Sequence, residues 1–392
     1  MQLTFTGHGP NSRTLSVPVA VVLAPMAGVT NPPFRRLCRE YGGGLFTSEM
    51  VGARSLLETW ARLDKDKSIS EGKERVLLRA SFDPDEPVRS LQLYGTDPSS
   101  MHDAVARLVA DGHVDHIDLN MGCPAIKVTR HGGGAALPWK LDHAIAIIDA
   151  AVRGADGVPV TVKSRLGIDD DHLYAYDLAV GAAQVGAAGF TLHARTAEQA
   201  YSGHAYWQAI GELVRDVPTI PILGNGDIFS GYDAREMAAQ TGCAGVVVGR
   251  GCLGRPWLFR DIEAALNHQS IPAPPTLGDV CTMIIRHTEL LVEYLGMRSG
   301  CLEIRKHTGW YLQGFPVGGQ LRKRLHHVEH IDEVRAALAD LPADLPMPPE
   351  AAHMKRGHTH GPKPVRLPQG WMDSRQMDGE LAPEADIVLS GG

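Results

Sequence analysis

Residues 90–124 read SLQLYGTDPSSMHDAVARLVADGHVDHIDLNMGCP, and the organisation of the whole chain follows from them. Two short apolar runs, Ser90 to Tyr94 and His116 to Asn120, flank a segment of helical period with Ser at its start and Gly at its end. The runs are continuous rather than alternating, the pattern of strands buried on both faces. Each ends in a polar turn. The second turn, DLNMGCP, is broken by Gly and Pro and carries a single thiol, Cys123.

The same unit recurs on either side. Further runs rich in Val, Ile, Leu and Phe lie at Val19 to Ala24, Leu45 to Ser48, Val158 to Lys163, Gly189 to His193, Ile220 to Gly224 and Gly245 to Gly249, and LDHAIAIIDAAVRG is another segment of helical period. Eight strands alternating with helices over about 250 residues is the count of a closed parallel barrel, whereas an open doubly wound sheet uses about five or six. The expected fold is therefore α/β, a (β/α)8 TIM barrel over residues 17–270, preceded by an N-terminal extension at 1–16. After it PAPPTLGDV (272–280) reads as a linker, and the amphipathic stretches Val280 to Leu295, Leu302 to Leu312 and Ile331 to Leu341 read as a small helical domain at 275–342. From Pro342 the chain is rich in Pro and Gly and poor in apolar residues, so 343–392 is expected to be a disordered tail, its HMKRGHTH cluster a solvated segment.

Composition narrows the function classes. No two of the six cysteines form a CxxC pair or stand at zinc-ligand spacing from a His, so a reduced, cytoplasmic protein without a structural metal is expected. There is no apolar stretch of about 18 residues and no signal-peptide pattern in MQLTFTGHGPNSRT, which argues against a membrane protein. The net charge of −7 argues against a globally basic nucleic-acid binder, yet Arg305, Lys306, Arg322, Lys323 and Arg324 fall in a stretch, Ile304 to Val328, that holds no carboxylate. P-loop, HExxH and GxSxG patterns are absent, and glycines 132–134 in RHGGGAAL neither make a GxGxxG nor follow a strand, so they carry little weight as a Rossmann site.

In a parallel barrel the chemistry collects at the carboxyl ends of the strands. The first run ends in Pro25, Met26 and Ala27, a flat shelf; the third in Gln92; the fifth and sixth in Lys163 and His193. The seventh and eighth end in Asn225, Gly226 and Asp227 and in Gly249 and Arg250, which offer bare N–H groups and a guanidinium to a phosphate. A lysine at the end of a buried strand implies an anionic partner. A flavin satisfies all of these: phosphate on the last two strands, ring over the shelf, Gln92 on a pyrimidine edge, Lys163 where reduction leaves negative charge.

With these residues collected, the chain resembles the tRNA-dihydrouridine synthases, most closely the bacterial B-type branch. The resemblance runs from about Val22 to Tyr311 through APMAGVTNPPFR, QLYG, DLNMGCP, VKSRLG, LHAR, GNGDI, VGRGCLGRPW and IRKHTGWYLQG. It implies FMN-dependent reduction of the uracil C5–C6 double bond in tRNA, with NADPH as reductant, hydride passing from flavin to C6 and a proton from Cys123 to C5. It also implies that Pro25, Met26, Ala27, Gln92, Lys163, His193, Asn225, Gly226, Asp227, Gly249 and Arg250 hold FMN, and that Asn120 and Arg165 face the uracil. The cations Arg305, Lys306, Arg322, Lys323 and Arg324, with Trp310 and Tyr311 near them, would then take tRNA phosphates, in a monomer with no protein partner. Two other readings stay open: an FMN barrel acting on a free small molecule such as dihydroorotate or a pyrimidine, and a non-catalytic RNA- or phosphate-binding barrel.

Overall fold

Eight parallel strands close into a barrel in chain order: β3 (Val21–Leu23), β4 (Leu45–Gly52), β5 (Ser90–Tyr94), β6 (His116–Met121), β7 (Val160–Arg165), β8 (Gly189–His193), β9 (Ile222–Asn225) and β10 (Gly245–Val248), with β10 pairing back onto β3. The computed structural model describes residues 1–65, 67–354, 356–357, 361–377 and 381. β5 and β8 keep the limits expected from their apolar runs; β7 and β9 start two residues later, and β7 runs on to Arg165 because that residue still pairs with His193. A helix follows most strands. That after β5, Pro98–Ala110, is capped by Asp97, whose carboxylate accepts from the Ser99 and Ser100 N–H groups. Its Met101, Ala104, Val105 and Leu108 face the barrel, one helical stripe.

The first residues are not a loose extension. β1 (Leu3–Thr6) and β2 (Thr14–Val17) form an antiparallel hairpin, so Val17, expected in the barrel, belongs to it. Leu3 and Phe5 point inward while Thr4 and Thr6 are exposed, the period of two that a half-buried strand requires. The hairpin plugs the amino ends of the strands: Phe5 stacks on His116 at 5.5 Å, and a Cβ on Gly189 would come within 2.7 Å of its ring. Burying a side chain such as Phe5 or Leu3 contributes about 1.5–3 kcal/mol.

Above Phe5 lies a buried polar layer. The His116 ring nitrogens stand 2.8 Å from Ser90 Oγ and 3.1 Å from Thr161 Oγ1, and the Thr161 hydroxyl donates to Asp118 Oδ1 at 2.6 Å. Burial pushes the His116 pKa down to about 3 and that of Asp118 up to about 6.

The helical domain comprises Leu277–Leu295, Met297–Tyr311, Gly318–Leu325 and Ile331–Leu338. The first begins three residues earlier than its apolar period suggests because Thr276 and Asp279 form a capping box. The third, Gly318–Leu325, was not expected; with Leu321 and Leu325 as its buried residues it shows too little period to be read. The bundle packs onto the first barrel helix, Pro32–Tyr41, through Leu37.

The expectation of an unpacked tail from residue 343 does not hold over the residues described. Leu345 O accepts from Leu277 N, Arg356 is 2% exposed, and Trp371 is 5% exposed with its indole N–H on Ala136 O at 3.0 Å. Pro and Gly here set a path along the barrel instead of preventing one. Of HMKRGHTH, Lys355, His358, Thr359 and His360 lie outside the described residues.

Candidate active site

At the carboxyl ends of the strands the barrel opens into a cavity of about 850 Å3. Pro25, Met26, Ala27, Gln92, Asn120, Cys123, Lys163, Arg165, His193, Asn225, Gly226, Asp227, Gly249 and Arg250 all line it, so residues from widely separated segments of the sequence do converge. The charge there opposes that of the whole chain: Lys163, Arg165, Arg195, Arg250, Lys306, Lys363 and Arg366 are in its wall against one carboxylate, Asp227.

Cys123 is held by an ordered chain of hydrogen bonds that starts in the floor. Asp118 can only accept when ionised, so Gln92 must present its amide N–H, which it does at 2.6 Å. Gln92 Oε1 is thereby left to accept from Asn120 Nδ2 at 2.8 Å, and Asn120 Oδ1 accepts from the N–H groups of Gly122 and Cys123 at 3.2 and 3.0 Å. One buried carboxylate thus orients two amides and a thiol-bearing turn. The far side of the turn is closed by Ala135 N–H donating to Cys123 O at 3.0 Å. Gly134, at φ +56°, must be glycine: a Cβ would stand 2.5 Å from Cys123 O. Burial raises the Cys123 pKa, opposed by the Ala125 N–H and by Arg165 and Lys163. The thiol keeps its proton at neutral pH and sits where cations would meet the thiolate.

Gln92 is therefore already engaged on both sides of its amide, with one N–H and one lone pair to spare, which narrows the pyrimidine-edge role expected of it. Arg165 also braces the thiol turn while lining the cavity. Its Nε donates to Gly122 O at 2.9 Å, and its Nη1 donates to Thr196 O and Ala200 O.

Lys163 Nζ donates to Asn225 Oδ1 at 3.1 Å, and Asn225 Nδ2 to Val247 O at 2.7 Å. Burial, then Arg165, pushes the lysine pKa down to about 8. His193 is held neutral first by burial and then by its neighbouring cations. Gly226 is at φ +126°, where a Cβ would come 2.6 Å from the Ala205 methyl, and Asp227 is turned away to take Arg195 at 2.7 and 2.8 Å. Arg250 lies over the Tyr201 ring at 4.2 Å, and its Nη1 is buried with no partner among the described residues. A buried guanidinium nitrogen left unbonded is costly. Beside the bare backbone of Gly249 and Gly251, this orphaned donor fits a phosphate, and the Pro25–Ala27 shelf fits a flat ring.

Asp118, Arg195, Tyr201 and Ala135 were not found by sequence reasoning. A strand-end Asp in DLN was visible, but its inward direction depends on barrel register; Arg195 and Tyr201 could have been flagged only as polar residues shortly after β8.

The basic run divides. Lys306 and Trp310 reach the cavity wall, Lys306 ion-paired with Glu303, and Lys323 is exposed. Arg305 donates to Val328 O at 3.0 and 2.8 Å, Arg322 to Leu312 O at 2.9 Å and Phe315 O at 3.2 Å, and Arg324 to Ala336 O at 3.4 Å, so these three tie the bundle's turns. Tyr311 is core, 1% exposed, with its hydroxyl 3.1 Å from His287.

A family model described as dihydrouridine synthase matches residues 22–344. A "Probable tRNA-dihydrouridine synthase" of Mycobacterium leprae (strain TN) is 45% identical over 95% of this chain and 100% of its own length. One of Mycobacterium tuberculosis (strain ATCC 25618 / H37Rv) is 46% identical over 95% of this chain and 94% of its own. The "tRNA-dihydrouridine synthase B" of Pasteurella multocida (strain Pm70) is 36% identical over 81% of this chain and 91% of its own.

Proposed function

Because the chain belongs to the dihydrouridine synthase family, we propose that it reduces the C5–C6 double bond of uridines in tRNA to 5,6-dihydrouridine, with FMN bound in the barrel and NADPH as reductant. The observation that carries this reading is one cavity that joins a protonated thiol, a shelf for a flat ring and an orphaned guanidinium for a phosphate.

Arg250 and the N–H groups around Gly249 and Gly251 would hold the FMN phosphate, Pro25 to Ala27 would carry the ring, and Lys163 would sit beside it as a cation. When bound, FMN would supply the hydride that adds to uracil C6. The chain itself must then manage a proton. Negative charge builds at C5 as the hydride arrives, and Cys123 Sγ gives its proton to C5. The sulfur–hydrogen bond breaks, the carbon–hydrogen bond forms, and the thiolate left behind faces Arg165 and Lys163. Gln92 and Asn120 set where the thiol stands, through Asp118 beneath them.

A stacked uridine must swing out of the tRNA to reach this depth, at a cost of a few kcal/mol. Among the described residues, Lys306 and Trp310 at the cavity wall and exposed Lys323 are the members of the basic run that donate to no backbone carbonyl, and they are the ones proposed to meet RNA.

The test is to supply FMN, NADPH and tRNA lacking dihydrouridine to the purified protein and measure dihydrouridine by mass spectrometry. Formation on tRNA is expected. A protein that takes up no FMN, or one that turns over free uracil or dihydroorotate in preference to tRNA, would defeat the proposal.

A further inference from the structure

The chain after residue 344, where the family match ends, is part of the cavity. Pro346 bridges to Thr276, holding the segment at the start of the bundle. Arg255 Nη1 then donates to Ala352 O at 3.0 Å, and Gly357 stands beside Arg250. Lys363 N–H donates to Glu198 O at 2.9 Å, on the loop that follows β8. Beyond it, Trp371 closes over Gly132, where a Cβ would lie 2.7 Å from its ring, and Lys140 Nζ donates to Ser374 O and Gln376 O at 2.7 Å. Arg375 pairs with Asp177 at 3.1 Å. Residues 361–366 are thus held from both sides across the rim, and Gly361, Lys363, Pro364, Val365 and Arg366 line the cavity.

Lys363 and Arg366 are exposed, and neither side chain has a hydrogen-bond or ion-pair partner among the described residues. The cations deeper in the wall are engaged by protein groups or by the ring of Tyr201. The position of this pair is also informative. Lys306, from the bundle, reaches Gly28 at the end of β3, and the strap crosses the loop after β8; these strands are three places apart one way round the barrel and five the other. The two basic walls therefore face each other across the mouth.

We propose that residues 361–366 form a second RNA-binding wall, in which Lys363 and Arg366 take backbone phosphates of the nucleotides flanking the uridine in the cavity. This rests on the tRNA reading above. The ligand is the RNA backbone: two outward cations at a rim suit a polyanion that stays outside while one base enters.

The test is equilibrium binding of tRNA to the FMN-loaded protein over a range of salt, for the wild type and for Lys363→Ala/Arg366→Ala. Because neither side chain supports the fold, the melting temperature should stay within about 1 °C. Affinity should fall roughly ten-fold at physiological salt, and the slope of log affinity against log salt should drop by about 2, one for each phosphate. In turnover the loss should appear in KM more than in kcat. A wild type that reduces tRNA, with a double variant of equal affinity and equal slope, overturns the wall and leaves the proposed function standing. A wild type that binds tRNA without reducing it, with a variant that binds weakly, does the reverse. A variant that loses FMN retention instead of RNA affinity also overturns the wall, and a wild type that binds no tRNA ends both.

Discussion

The floor and the mouth of this barrel are made of the same kinds of residue and satisfy them differently. In the floor, His116, Ser90, Thr161 and Asp118 find partners in one another, sealed below by Phe5 of the N-terminal hairpin. In the mouth, Arg250 Nη1 has none among the described residues, and Lys363 and Arg366 line the opening with no partner among them either. Buried polar groups that are satisfied internally hold a structure together, whereas an unsatisfied guanidinium nitrogen or an unpaired rim cation on a cavity wall is placed to bind an anion. The Asp118–Gln92–Asn120 chain joins the two regions, carrying the order of the floor up to Cys123.

If that division is right, changes in the mouth should remove function and spare stability. Cys123→Ala should lower the rate of uridine reduction by about 10^2–10^4-fold while melting temperature and NADPH-driven bleaching of the flavin stay near wild type, which stopped-flow absorbance would follow. Equal loss of both half-reactions would move the thiol out of the proton-donor role. Arg250→Ala should weaken FMN retention by roughly 10–100-fold, the worth of a charged hydrogen bond of about 1.5–3 kcal/mol, with the apoprotein as stable as wild type or slightly more so. Titration with FMN followed by flavin fluorescence measures it.

The joining chain should show both effects. Asp118→Asn keeps the shape but leaves one acceptor oxygen where Gln92 and Thr161 both donate, so one of the two hydrogen bonds is lost or reversed. We expect a loss of about 1–3 kcal/mol in unfolding free energy and a fall in kcat with Cys123 still present. A variant with reduced kcat and unchanged stability would place Asp118 functionally in the mouth and blur the division.

The last effect is confined to acid and is absent at neutral pH. With a folded pKa of about 3 against about 6.5 unfolded, His116 is bound by a proton more readily in the unfolded chain, so stability falls as pH drops from about 6.5 toward 3. Asp118, near 6 folded and about 3.9 unfolded, binds its proton more readily when folded and offsets part of this between those values. His116→Phe should flatten the decline by up to one proton's worth in denaturant melts at stepped pH. An unchanged slope would mean that the floor is wetter than its hydrogen bonds indicate.

How much of this was readable follows from how local each signal is. A strand buried on both faces must be continuously apolar, so the eight runs announced the barrel, and the rule that barrel chemistry lies at strand ends picked out Cys123, Lys163 and Arg250 before any contact was known. Leu3 and Phe5 alternate with threonines over only four residues, too short a pattern to stand out, and the hairpin was missed. Trp371 is a lone aromatic among prolines and glycines, and its partner Ala136 is 235 residues away; no window of sequence contains both. Arg305 and Arg322 read as RNA ligands because charge is visible in sequence, whereas the carbonyls of Val328 and Leu312 that occupy them are supplied by turns.

The strap has a bearing on the order in which the molecule is made. Residues 361–376 are synthesised after the barrel and the bundle, yet they complete the rim by reaching back to Lys140 and Asp177 across more than half the chain. A nascent polypeptide therefore passes through a stage in which every residue around Cys123 in the sequence has emerged and the doorway has not. The entrance is thus closed by the part of the described chain that leaves the ribosome last, long after the strands behind it.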